Sequence, residues 1–128
     1  MMEIERDDTF ESGHFLPNVP KGHKCATNHG HTYHITIVLA GEPDERTGWL
    51  MDFADIDLEW IRVKHLVDHK HLNSVSRKLR NPTVENMVVW IWGIMKPRLP
   101  KLVELRLQEG MRNRVVYRPN RDEGKRDG

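Results

Sequence analysis

The sequence predicts an α+β fold in which two helices cover one face of a small antiparallel sheet. Three observations carry this. β-Branched and aromatic residues crowd residues 32–41, and residues 101–109 alternate apolar with polar side chains. Between them, residues 54–66 and 84–95 place apolar side chains at helical spacing. The order of strands, then two helices, then strands favours helices gathered on one layer over the strict alternation that builds parallel sheets.

Residues 3–14 read as a first, irregular strand ending in Phe10-Glu11-Ser12-Gly13-His14. Pro17, Pro20 and Gly22 then make residues 15–28 a loop, which carries Cys25. Residues 32–41 form the clearest strand. The turn chemistry of residues 42–48 predicts that residues 49–53 return as a paired strand. The first helix begins near Ala54 or Asp55, with Ile56, Trp60, Val63 and Val67 on its apolar stripe. Asn81-Pro82-Thr83 supplies a break and an N-cap for the second, whose stripe is Val84, Met87, Val88, Ile91, Ile94 and Met95 before Pro97. In residues 101–109, Val103, Leu105 and Leu107 occupy one face and Glu109 falls in phase with them; residues 114–118 are a last strand.

At 128 residues the chain has the length of one domain. Residues 1–118 are expected to form it, with residues 119–128 a charged, apolar-free, disordered tail. A net charge of +1 gives no field that would imply nucleic acid. The apolar runs are too short to cross a bilayer and the first residues lack a signal-peptide core, so a cytoplasmic protein is expected, with no membrane partner. One cysteine excludes an intrachain disulfide. A small sheet of this kind has two open edges, and homo-oligomerisation is the expected way to cover them.

Chemistry concentrates between His14 and His31. His29 and His31, separated by Gly30, point the same way if extended, which suits two imidazoles sharing one Zn²⁺. His14 supplies a third nitrogen, and three neutral ligands leave a fourth position open, as in catalytic zinc sites. Glycine weakens a strand unless space is wanted, and here it leaves room beside the ligands. Cys25 is a nucleophile or base beside a cation that favours thiolate, a small buried side chain, or a fourth ligand that would close the site. Asp68-His69 has the composition of an acid/base dyad, against surface histidines with no task. Glu109 ends the apolar face of its strand, so either the strand end is solvated or the carboxylate faces a ligand pocket, where it would suit paired N–H donors on a heterocycle.

These residues together resemble the 6-pyruvoyl-tetrahydropterin synthase superfamily, over residues 10–117. The resemblance rests on residues 10–14, on Cys25-Ala26-Thr27-Asn28-His29-Gly30-His31, on Gly48-Trp49-Leu50-Met51-Asp52-Phe53, on residues 66–73, on Asn81-Pro82-Thr83-Val84-Glu85-Asn86 and on Glu109. The short gap between Cys25 and His29 looks like the bacterial carboxy-tetrahydropterin branch. The resemblance implies the tunnelling fold: a four-stranded antiparallel sheet with two helices on one side, closing into a barrel as trimers or hexamers with sites between subunits. It implies Zn²⁺ on His14, His29 and His31, Cys25 as the proton-abstracting base, and Asp68 with His69 as a relay from a neighbouring subunit. Glu109 would anchor the pterin, with Thr83 close by. The implied reaction converts 7,8-dihydroneopterin triphosphate to 6-carboxytetrahydropterin, acetaldehyde and triphosphate, on the route to queuosine. The alternatives are a pyruvoyl synthase or side-chain aldolase of the same family, or a non-catalytic zinc-stabilised pterin-binding module. Lys21, Lys24 and Arg80 are candidates to meet the triphosphate. Gly110 departs from the threonine usual after the glutamate and removes a hydroxyl from the pterin pocket.

Overall fold

The computed structural model describes residues 1–119. The charged tail expected over residues 119–128 lies, apart from Pro119, outside the described residues. Two long strands, β1 (Met2–His14) and β2 (His29–Gly41), pair antiparallel from Met2 opposite Gly41 to His14 opposite His29. After α1 (Phe53–Val67) come the two-residue β3 (Lys70–His71), α2 (Val84–Met95), β4 (Leu102–Glu109) and β5 (Asn113–Tyr117). The strands lie in the order β3-β1-β2-β4-β5.

This corrects the expected four-stranded antiparallel sheet: there are five strands of mixed orientation, because β3 joins β1 in parallel. The cause is local. Asp68, at the end of α1, accepts a hydrogen bond from the Glu11 amide (2.9 Å), and the His69 amide donates to the Glu11 carbonyl (2.6 Å). These bonds lay the chain along the free edge of β1. The strand expected over residues 49–53 is also absent, since β1 and β4 occupy both edges of β2. Instead Leu50 packs into the core, and the Asp52 carboxylate accepts from the Ala54 amide (2.9 Å) to cap α1. β2 starts at His29 rather than at Thr32, so the His-Gly-His run lies within a strand.

One sheet face is buried under the helices and the other carries no helix. On β1, Arg6, Asp8 and Phe10 belong to the helix face. Arg6 forms a two-pronged ion pair with Asp57 of α1 (2.8 Å), and Asp8 accepts from Trp60 Nε1 (2.6 Å) and Lys64 Nζ (3.0 Å). Ile35, Ile37, Leu39, Leu105 and Leu107 are fully buried beneath α1 and α2. A register shift opposite Val38 and Leu39 brings Leu102 into this layer in place of Val103. On the helix-free face Arg106 lies between Glu5 (2.7 Å) and Glu104 (2.9 Å).

Ile37 sits mid-strand with no exposed surface. Ile37→Ala is expected to cost about 2–5 kcal/mol of unfolding free energy in urea titrations of the metal-free protein. A loss below about 1 kcal/mol would show that this layer is not close-packed.

Candidate metal centre and adjoining cleft

The helix-face stripe of β2 changes character along its length: Leu39, Ile37, Ile35 and Tyr33 are buried core, and His31 and His29 continue the same face beyond them. Because β1 pairs His14 with His29, all three imidazoles meet there. One nitrogen from each lies within 4.8 Å of the others. Gly13 and Gly30 face each other on the opposite side of the sheet.

The tautomers are set from outside the trio. His14 Nδ1 donates to the Pro82 carbonyl (2.9 Å), and His29 Nδ1 donates to the Thr27 carbonyl (2.7 Å). Both Nε2 lone pairs then face inward, 3.0 Å apart. Two lone pairs at that distance repel unless a cation lies between them. His31 Nε2 is buried, has no hydrogen-bond partner among the described residues, and stands 3.5 Å from Glu109 Oε1. A neutral nitrogen donor set with an orphaned buried member fits a zinc-like ion.

Burial, helped by the charges of His29 and His31, pushes His14 down to about 4, against a weaker opposing pull from the Pro82 carbonyl. Burial also lowers His31, against the pull of Glu109.

Beside the trio opens a cleft of about 370 Å³ lined by His14, Cys25, Thr83, Glu85, Glu109 and Asn113. Cys25 is half-buried in a single 3₁₀ turn, Lys24–Ala26, which is clamped to the loop by the Leu16 amide donating to the Cys25 carbonyl (2.7 Å). Thr83 caps α2 by accepting from the Asn86 amide (3.1 Å). The break that starts α2 therefore also delivers the Pro82 carbonyl to His14. Glu109 closes the cleft at the end of β4, with its side chain 19% exposed.

The structure thus brings Cys25, Thr83 and Glu109 to one cleft with His14, and leaves Asp68 and His69 outside it. The Asp68 carboxylate and His69 Nδ1 are 3.1 Å apart, and His69 borders a second depression with Glu11, Gly13, Gly30, His31 and Lys70. The Glu11 amide, then His69, holds the Asp68 carboxyl below the usual carboxylate range. His69 adopts φ 55° and is largely exposed. Lys21, Lys24 and Arg80 do not line the cleft, whereas Arg114 does. Sequence reasoning missed Glu85 and Arg114 at this position, and the Pro82 and Thr27 carbonyls, which have no side-chain signature. Gly110 has a backbone reason: at φ 66° it turns the three-residue hairpin from Glu109 to Asn113, where threonine would be strained.

The His14 shift fixes a sign for acid stability. The unfolded chain takes up its proton near 6.5 and the folded chain near 4. Over that interval the unfolded state binds more protons, so stability falls as pH falls. Chemical unfolding of metal-free protein should show this slope between pH 6.5 and about 4, and His14→Asn should flatten it. An unchanged slope would show that His14 is not a buried neutral imidazole.

The sequence profile of 6-pyruvoyl tetrahydropterin synthase matches residues 3–120. The chain is 30% identical to a 6-pyruvoyl tetrahydrobiopterin synthase of Drosophila melanogaster, covering 90% of this chain and 78% of that one. It is 36% identical to a dihydroneopterin monophosphate aldolase of Pyrococcus furiosus, over 64% of this chain and 70% of the other. It is 28% identical to the 6-carboxy-5,6,7,8-tetrahydropterin synthase of Bacillus subtilis, over 93% and 86% of the two chains. The Caenorhabditis elegans 6-pyruvoyl tetrahydropterin synthase structure superposes with a TM-score of 0.83 at 26% identity, covering 91% of this chain and 94% of that one. The match of nearly the whole described chain, the two helices on one sheet and the three converging histidines lead to one conclusion: the chain belongs to the 6-pyruvoyl tetrahydropterin synthase family.

Proposed function

We propose that the protein is a zinc-dependent lyase converting 7,8-dihydroneopterin triphosphate and water to 6-carboxytetrahydropterin, acetaldehyde and triphosphate. The observation that carries this reading is the single cleft in which Cys25 and Glu109 meet His14 of the imidazole trio. The Bacillus relative is named for the same product.

Zinc held by His14, His29 and His31 supplies Lewis acidity toward the hydroxyls of the pterin side chain. Glu109 accepts the paired N–H donors of the pterin ring, and a carboxylate offers enough lone pairs for both. Cys25, on the same cleft, takes the proton from the side-chain carbon. Thr83 presents its backbone and hydroxyl at the start of α2, beside the ring. The Asp68–His69 pair carries protons for the cleft of a neighbouring copy, since it lies outside the cleft of its own chain. The open edges at β3 and β5 favour such an assembly of trimers or hexamers.

A second reading has its own support. A left-handed glycine, Gly110, directly follows Glu109, and the relative from Pyrococcus furiosus is named an aldolase. An aldolase with this scaffold would use the same anchor and base but release a different pterin.

Zinc-loaded protein incubated with 7,8-dihydroneopterin triphosphate is expected to yield acetaldehyde and a pterin with the mass of the carboxy product. Absence of acetaldehyde overturns the first reading, and the mass of the pterin separates synthase from aldolase. Cys25→Ala should lower kcat/KM by about 10²–10⁴-fold while bound zinc stays stoichiometric. Activity within about threefold of the parent would remove Cys25 from the chemistry.

A further inference from the structure

Tyr33 has no exposed surface, and its hydroxyl lacks a hydrogen-bond partner among the described residues. Its ring stacks on Phe10 at 4.9 Å with planes 10° apart, and meets His31 edge-on at 5.8 Å. Phenylalanine would make both contacts. A buried hydroxyl left unpaired costs about 1–3 kcal/mol, so the oxygen itself calls for a partner that packing does not explain.

The register identifies that partner. Tyr33 on β2 lies directly opposite Glu109 on β4, on the face that carries the trio. Side chains so paired stand about 5 Å apart at their Cβ atoms, within reach of a rotamer change. On its other side Glu109 faces Asn113, which is exposed and can be served by water. His31 Nε2 stands 3.5 Å from Glu109, too far for a hydrogen bond. His31 offers one ring nitrogen to the metal-ligating set, and Nε2, buried and unpaired among the described residues, is the one free to serve. A ring nitrogen that gives its lone pair to a metal carries no proton for Glu109. Once the trio is engaged, His31 has no proton to offer Glu109, and a buried phenol stands opposite it.

We infer that Tyr33 is a positioning residue that donates its hydroxyl proton in a hydrogen bond to the Glu109 carboxylate and aims it at the heterocycle. This rests on the proposed reading in which Glu109 anchors the pterin. One phenolic hydrogen bond uses one of about four lone-pair sites on the carboxylate, leaving both oxygens able to accept N–H donors. The device links the two halves of the site: with the histidine trio filled, Tyr33 rather than His31 is the donor facing Glu109. The effect falls on ligand capture rather than on proton transfer, because Tyr33 does not line the cleft that holds Cys25.

The test uses the zinc-loaded full chain with neopterin as the binding probe, measured by calorimetry for parent, Tyr33→Phe, Glu109→Gln and the double variant. Tyr33→Phe is expected to keep or slightly raise the melting temperature, keep zinc affinity within about threefold, and weaken neopterin binding about tenfold, the scale of one hydrogen bond to a charged group. In the Glu109→Gln background, Tyr33→Phe should add less than about twofold, because its effect passes through the carboxylate. If Glu109→Gln weakens neopterin binding while Tyr33→Phe leaves it unchanged, or if the two losses multiply, the inference is overturned and the anchor reading stands. If neither variant alters neopterin binding, both fall together.

Discussion

The antiparallel pairing of β1 with β2 is the constraint on which the rest depends. It runs unbroken from Met2 opposite Gly41 to His14 opposite His29. A slip of one residue would turn His14 to the helix-free face and Phe10 out of the core at the same time. The register is defended far from the imidazoles, by Phe10 on Tyr33, by Asp8 under Trp60 and Lys64, and by Arg6 on Asp57. The metal centre therefore draws the placement of its rings from the strand register and their facing from two backbone carbonyls.

Continuity between core and centre also sets the electrostatics. Tyr33 is the last fully buried residue before the trio, and His14 beside it is 1% exposed. Placing imidazoles at the end of an apolar stripe holds His14 in the neutral form that a metal requires. Two backbone carbonyls then choose which nitrogen keeps its proton. Both come from irregular segments, Thr27 from the loop before β2 and Pro82 from the break before α2. The regular elements fix where the rings are, and the loops fix how they face.

This division explains what was legible in the sequence. His29-Gly30-His31 is readable because strand period and ligand chemistry coincide, and His14 because it supplies a third imidazole where the irregular first strand ends. The stripes of α1 and α2 are readable for the same reason, with Ile56, Trp60, Val63 and Val67 buried as their spacing predicts. Residues 49–53 misled because turn residues followed by apolar ones look like a returning strand, and nothing local says that both edges of β2 are taken. β3 was invisible: two residues carry no period, and its pairing depends on Asp68 reaching Glu11, 57 positions away. Leu102 and Val103 exchanged faces through a register shift that alternation alone cannot show.

The position of Asp68 and His69 follows from the same contact that creates β3. By accepting from the Glu11 amide, Asp68 ties the end of α1 to β1 and holds His69 in a left-handed conformation that non-glycine residues seldom adopt. A helix end needs no such conformation merely to stop, since α1 is already closed by the Asp68 amide on Lys64. The strained residue therefore presents an imidazole outward at the free edge of β1, with a carboxylate 3.1 Å behind it. Residues held in such conformations by their surroundings cluster at functional sites. The pair lies at the β1 edge of the sheet, outside the chain's own cleft, which is lined by His14, Glu109 and Asn113.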